Sequence, residues 1–255
     1  MNLHDADEYC RQKAAPPGGS FYYSILFYPE HLRRDLRALH ALGIELEEII
    51  TECSDPGVMR IKFAWWQDEI MRLYQHAARH PVSRALANVI TRHDIQQHQL
   101  QEIISNVEQL TAMTQPPSMQ EVLMMFGKGP GLVWRLSAKI CGHQKPETMT
   151  LAGEMGGLFS CFHILQQPAR SGTGPAAQCT PQERSLLIQD IQKMLTHYCA
   201  VFPAADRYRQ LHILIMGHII AGTCEKIQRN GKLQALTPLK KLWMAWRLQR
   251  RYRSS

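Results

Sequence analysis

Four carboxylates crowd into eight residues of the stretch ALGIELEEIITE: Glu45, Glu47, Glu48 and Glu52. At about 100° per residue, Glu45, Glu48 and Glu52 fall on one face of a helix. Magnesium takes one or two carboxylates together with water and substrate phosphate oxygens, so such a face can hold a metal-bound diphosphate. Acids at this spacing also line solvated helix faces, and Thr51 interrupts the set, so the residues alone leave both readings open. Twelve histidines invite a zinc reading. His93 and His98 are five positions apart and His212 and His218 six, however, and neither spacing gives the i,i+4 pair of a helical zinc site. Gly127-Lys128-Gly129-Pro130-Gly131 lacks both the Gly-Lys-Ser/Thr ending and the preceding strand of a phosphate loop.

Two aromatic sets are candidates for binding apolar ligands. Tyr22, Tyr23, Trp65 and Trp66 either pack in the core or wall a lipid-lined cavity. Trp243 and Trp246 stand among Lys240, Lys241, Arg247, Arg250 and Arg251, in a stretch from 240 to 253 without an acid. An aromatic and basic helix of this kind either lies on an anionic membrane or closes the bundle with its charges solvated. Much of the net charge of +7 sits there, with a pI near 9.1. No nucleic-acid motif accompanies the basic excess, and nucleic acid is not among the expected partners.

The elements that position these residues read as helices throughout. Leu32, Leu36, Leu39, Leu42 and Leu46 recur at spacings of three and four, predicting a core-packed helix over 29–52. Ser54-Asp55-Pro56-Gly57 is a turn, and further helices follow at 58–74, 82–92 and 96–112. Ser118 and Glu121 form a capping box, and Gly127 to Gly131 loosens the helix it starts. A helix over 148–167 is rich in small residues and is expected deep in the bundle. Helices over 180–202, 207–229 and 238–251 complete the chain. The expectation is one all-α domain over 20–253 after a flexible segment, 1–19. Hydrophobic residues at 45% and charged residues at 20% suit a globular protein, and no run nears the roughly 20 apolar residues of a membrane span. The start, MNLHDADEYCRQK, resembles neither a secretory nor a transit signal, and seven scattered cysteines read as reduced, structural thiols. The expected location is cytoplasmic, peripheral on the inner membrane face if the C-terminal helix binds lipid.

The string ALHALGIELEEIITECSDPGVMRIKFAWW (38–66), the Tyr22-Tyr23 pair, GLFSCFHILQQPAR (157–170) and TPLKKLWMAW (237–246) resemble the squalene/phytoene synthase family. Within it they are closest to the subgroup related to the mitochondrial complex I assembly factor that carries such a domain. The resemblance implies a helical bundle of the isoprenoid synthase type with a central cleft. In that family an aspartate-rich DDxxD-type motif holds magnesium against a substrate diphosphate; Glu47, Glu48 and Thr51 occupy its positions here. A second motif, like N-I-L-R-D-x-x-E-D, faces it; His163 stands at its Asn, Gln167 at its first Asp, and Arg170 with Ser171 at its Glu-Asp pair. A cation at Arg170 opposes a metal cluster electrostatically. The leading expectation is therefore a non-catalytic protein without cofactor, acting on a nascent respiratory-complex subunit. The alternatives are a magnesium-dependent prenyl-diphosphate condensing transferase with unusual ligands and a carrier of an isoprenoid lipid.

Overall fold

The computed structural model describes residues 3–142, 145–167, 175–231 and 234–253. Among them there is no strand, and ten helices of eleven residues or more make up the all-α bundle. The chain runs α1 (Leu3–Ala14), α2 (Ser20–Ser24), α3 (Glu30–Glu52), α4 (Pro56–Tyr74), α5 (Pro81–Arg92) and α6 (Gln97–Gln109). It continues with α7 (Met119–Glu121), α8 (Pro130–Ile140), α9 (Pro146–Gln166), α10 (Pro175–Gln178), α11 (Pro181–Val201), α12 (Leu211–Asn230) and α13 (Pro238–Arg253).

Local chemistry accounts for most boundaries. A proline opens α4, α5, α8, α9 and α11, where its missing N–H costs nothing. Capping boxes start α7 at Ser118–Glu121 and α11 at Thr180–Glu183. Gly231, at φ 65°, ends α12 in the left-handed conformation that an L side chain resists. The expected loosening before Gly127 takes the form of a π-helical turn over Val122–Phe126.

The expectation of a flexible lead-in is corrected. Residues Leu3–Ala14 form a helix packed on α3 and α5, with Ala6 and Cys10 buried. Lys13 pairs with Glu45 and Glu48 of α3 and Asp7 with Arg34, while Glu8 pairs with Arg11 within α1. Two buried carboxylates tie α3, α4 and α5 together. Asp35 meets Arg92 at 2.6 Å and His93 at 2.8 Å. Glu69 is fully buried and accepts from the backbone N–H groups of Arg79 and His80, both at 2.7 Å, and from Arg72 at 2.9 Å. These bonds outweigh burial and lower the Glu69 pKa.

Helix α9 is buried on nearly every side, and its small residues admit close neighbours. A Cβ on Gly156 would stand 2.3 Å from Trp134 of α8, and one on Gly157 would stand 2.7 Å from the backbone of Gly127. Helices α3, α8, α9 and α12 thereby wall a central cleft. No described helix is long and apolar enough to cross a membrane.

Candidate functional site: the cleft between α3 and α9

The cleft has a volume of about 460 Å³, within the range of roughly 300–1,000 Å³ usual for small-molecule sites. Its interior is apolar and aromatic: Phe21, Ile44, Val133, Trp134, Phe159, Phe162, Met216 and Ile220. Its mouth is polar, with Lys13, Glu47, Glu48, Thr51 and Glu52 on one side and His163, Gln166 and Gln167 on the other. Residues of α3 and of the end of α9 thus stand on opposite sides of the mouth.

Trp134 organises the floor. Its ring lies 4.5 Å from His40, 4.8 Å from Phe159 and 5.9 Å from Phe21 in edge-on packing, and stacks at 6.0 Å on His212. The missing side chain of Gly156 makes the room it fills. The Ser137 hydroxyl donates to Val133 O at 2.9 Å, so it accepts from His40 Nε2 at 2.7 Å. Tyr28 donates to Arg209 O and accepts from His212 Nδ1 at 3.0 Å. Burial holds both imidazoles neutral, His40 well below the ordinary histidine value and His212 at about 3.

At the mouth, each anion that reaches a neighbour meets a basic or hydrogen-bonding group of this chain. Lys13 of α1 bridges two carboxylates of α3, reaching Glu45 at 3.0 Å and forming a short ion pair with Glu48. Tyr9, one turn earlier on α1, donates to Glu45 at 2.5 Å. Burial pulls the Lys13 ammonium down, but its bonds to Glu48 and Glu45 prevail and its pKa rises. Burial and the bond to Glu45 push the Tyr9 phenol up to about 12. Across the cleft, His163 Nδ1 meets Glu47 at 3.0 Å, and its Nε2 takes Gln167 Nε2 at 3.3 Å. The bond to Glu47 outweighs burial and raises the His163 pKa.

Three of the four carboxylates that a magnesium–diphosphate cluster would use contact basic groups of the chain. Glu45 and Glu48 share an ammonium and Glu47 meets an imidazole, while Glu52 is exposed at the mouth. Among the described residues, no group of three or more His, Cys, Asp or Glu side chains is arranged to hold a metal ion. A divalent cation binding here would compete with Lys13 and His163 for these carboxylates.

Several expected placements change. Glu45, Glu48 and Glu52 share a face, but that face turns toward α1 and a second groove beside α4; the carboxylate that reaches α9 is Glu47. None of Tyr22, Tyr23, Trp65 and Trp66 lines the central cleft. Tyr22 and Tyr23 pack edge-on against each other, 5.1 Å apart. Trp65 and Trp66 border the second groove around His80. Helical periodicity ranks faces by polarity without saying which neighbour each face meets. Arg170 lies outside the described residues. At the C-terminus Lys241, expected at a membrane or partner surface, is buried and donates to Gly18 O at 3.1 Å; Trp243, Trp246, Arg247, Arg250 and Arg251 are exposed.

Sequence reading missed Lys13, Tyr9 and the aromatics Trp134, Phe159 and Phe162; Phe21, which belongs with Tyr22 and Tyr23 in the aromatic run that reads as core or cavity wall, does line the cleft. Tyr9 and Lys13 are four apart, so once α1 is taken as a helix they share a face; that spacing was the available signal.

The chain matches the squalene/phytoene synthase family over residues 14–170. Among solved structures it is similar to the squalene synthase HpnC from Alicyclobacillus acidocaldarius, with 17% identity, a TM-score of 0.63, and coverage of 90% of this chain and 95% of that one. It is also similar to a dehydrosqualene synthase crystallised in complex with ligand, with 11% identity, a TM-score of 0.74, and coverage of 99% and 98%. No curated protein matches in sequence. At these identities the structural likeness establishes the fold, an all-α bundle of the isoprenoid synthase type. With the family match spanning more than half of its residues, the chain belongs to the squalene/phytoene synthase family.

Proposed function

We propose that this protein is a non-catalytic member of the family that acts in assembly or maturation of a respiratory membrane complex, of the complex I type. The observation that carries the non-catalytic reading is the internal pairing of the α3 carboxylates: Lys13 between Glu45 and Glu48, and His163 on Glu47. Ionising a prenyl diphosphate requires metal ions to take up the developing negative charge of the leaving group. Here one oxygen of each of Glu45, Glu47 and Glu48 already meets a basic group of the chain. The assembly role is supported by the resemblance of residues 38–66 to the assembly-factor subgroup, and its client would be a nascent membrane-complex subunit.

One observation favours a second reading. Glu47, Glu48 and Glu52 still border an apolar cavity opposite α9, the layout that a prenyl-diphosphate condensing transferase with unusual magnesium ligands would use. The same cavity suits an isoprenoid or other lipid held without turnover.

Complementation tests the leading reading. Deleting the gene from its host should lower the amount of assembled complex on native gels. Expression of the wild type and of Glu48→Gln should restore it equally. Restoration by the wild type alone, with Glu48→Gln folded but inert, would contradict a non-catalytic role, and unchanged complex levels in the deletion strain would remove the assembly role.

A further inference from the structure

Helix α13 has two separate faces. Lys241, Ala245, Leu248 and Tyr252 are buried at spacings of four, three and four, and this stripe docks the helix on α12 and α2. The opposite side carries Leu239, Trp243 and Trp246, which are 80%, 51% and 45% exposed, with Leu242 beside them. The docked side therefore does not use the tryptophans. Closing the bundle explains one face of the helix and leaves the other without a role. A contiguous apolar stripe facing solvent marks an interaction site more often than a scatter of single side chains does.

The outward face is also cationic. The Arg247 guanidinium lies 5.2 Å from the Trp243 ring and that of Arg250 lies 4.9 Å from Trp246. Lys240 and Arg253 are exposed on the same helix, and no acid follows Glu225 in the sequence. Indole rings carrying a cation over their faces match the boundary of a bilayer, where the ring sits among glycerol groups and the charge meets phosphate. Protein partners of a basic face supply carboxylates at fixed points. A stripe that interleaves leucine, tryptophan and arginine is matched instead by a surface that is anionic and apolar within a few ångströms of depth.

We propose that α13 docks this protein on an anionic phospholipid surface, with Leu239, Trp243 and Trp246 inserted at the headgroup level and Lys240, Arg247 and Arg250 on the phosphates. The elements beneath α13 are walls of the cleft. Lys241 bonds Gly18 in the turn whose Pro16 and Gly19 line the cavity, and α12 contributes Met216 and Ile220. Docking therefore puts the bilayer on the side of α13 opposite the α12 and α2 walls of the cleft. This surface stands independently of the reading proposed for the cleft.

Flotation of the full chain with vesicles decides the matter. Recruitment is expected to vesicles of phosphatidylcholine with phosphatidylglycerol at low salt, with none to phosphatidylcholine alone and loss at high salt. Trp243→Ser/Trp246→Ser should abolish recruitment. Lys240→Gln/Arg247→Gln should weaken it by roughly thirtyfold, as expected for two basic residues near an anionic surface. All four positions are exposed, and an unchanged helical spectrum and melting temperature would verify that the variants fold. Absence of the wild type from both kinds of vesicle, or recruitment that the tryptophan variant retains, overturns the proposal. Retention on a DNA duplex without vesicle binding overturns it as well and assigns the face to nucleic acid.

Discussion

At the scale of single residues, the Glu47–His163 contact links α3 to α9 by one hydrogen bond whose strength depends on protonation. Its donor has a pKa raised above the ordinary histidine value of about 6.5. A group of this kind stabilises the folded state fully below its unfolded pKa, and the contribution is lost as pH rises through the folded value. The melting temperature of the wild type should therefore exceed that of His163→Gln near about pH 6, and the gap should shrink toward about pH 8.5. A gap that widens with pH would contradict the assignment. His40 and His212, held neutral by burial, disfavour folding in acid in both proteins, so their effect cancels in the comparison. The carboxylates of α3 were legible as a cluster because they are close in sequence. Lys13 was not, because its partner Glu48 is 35 positions away and nothing local marks the pairing.

At the scale of elements, the α8–α9 contact depends on missing side chains. Gly156→Ala places a methyl 2.3–2.5 Å from three atoms of Trp134, a ring itself wedged between His40 and Phe159. Neither neighbour can give way cheaply, so denaturant unfolding should show a loss of about 1–3 kcal/mol. Gly222→Ala on α12 is the control. Its Cβ would make only ordinary contacts at 3.4 and 3.8 Å, and exchanging glycine for alanine within a helix should leave stability unchanged or raise it by up to about 1 kcal/mol. Equal losses in the two variants would show that close approach is not what α9's glycines provide. The run of small residues in α9 is enough by itself to signal a deeply buried helix. It does not signal which large residue fills the vacated space, because Trp134 belongs to another periodic segment with its own buried face. Helix α1 escaped notice for the opposite reason: its polar residues suggested solvent, whereas Tyr9 and Lys13 reach back to α3.

At the scale of the molecule, periodicity of 3.6 residues and the punctuation by proline and glycine were enough to read an all-α bundle. The cleft's lining was less legible. Trp65 and Trp66 are the most conspicuous aromatics in the chain, yet they face a second groove, while Phe159 and Phe162 line the cavity from otherwise ordinary apolar runs. What remains is an apolar chamber of the isoprenoid synthase fold whose mouth holds charges paired within the chain. The central proposal is that this chamber is non-catalytic, and turnover tests it most directly. Purified full-length protein incubated with magnesium and farnesyl or geranylgeranyl diphosphate should release no condensation product above a no-protein control. A magnesium-dependent product that Glu48→Gln abolishes would contradict the account.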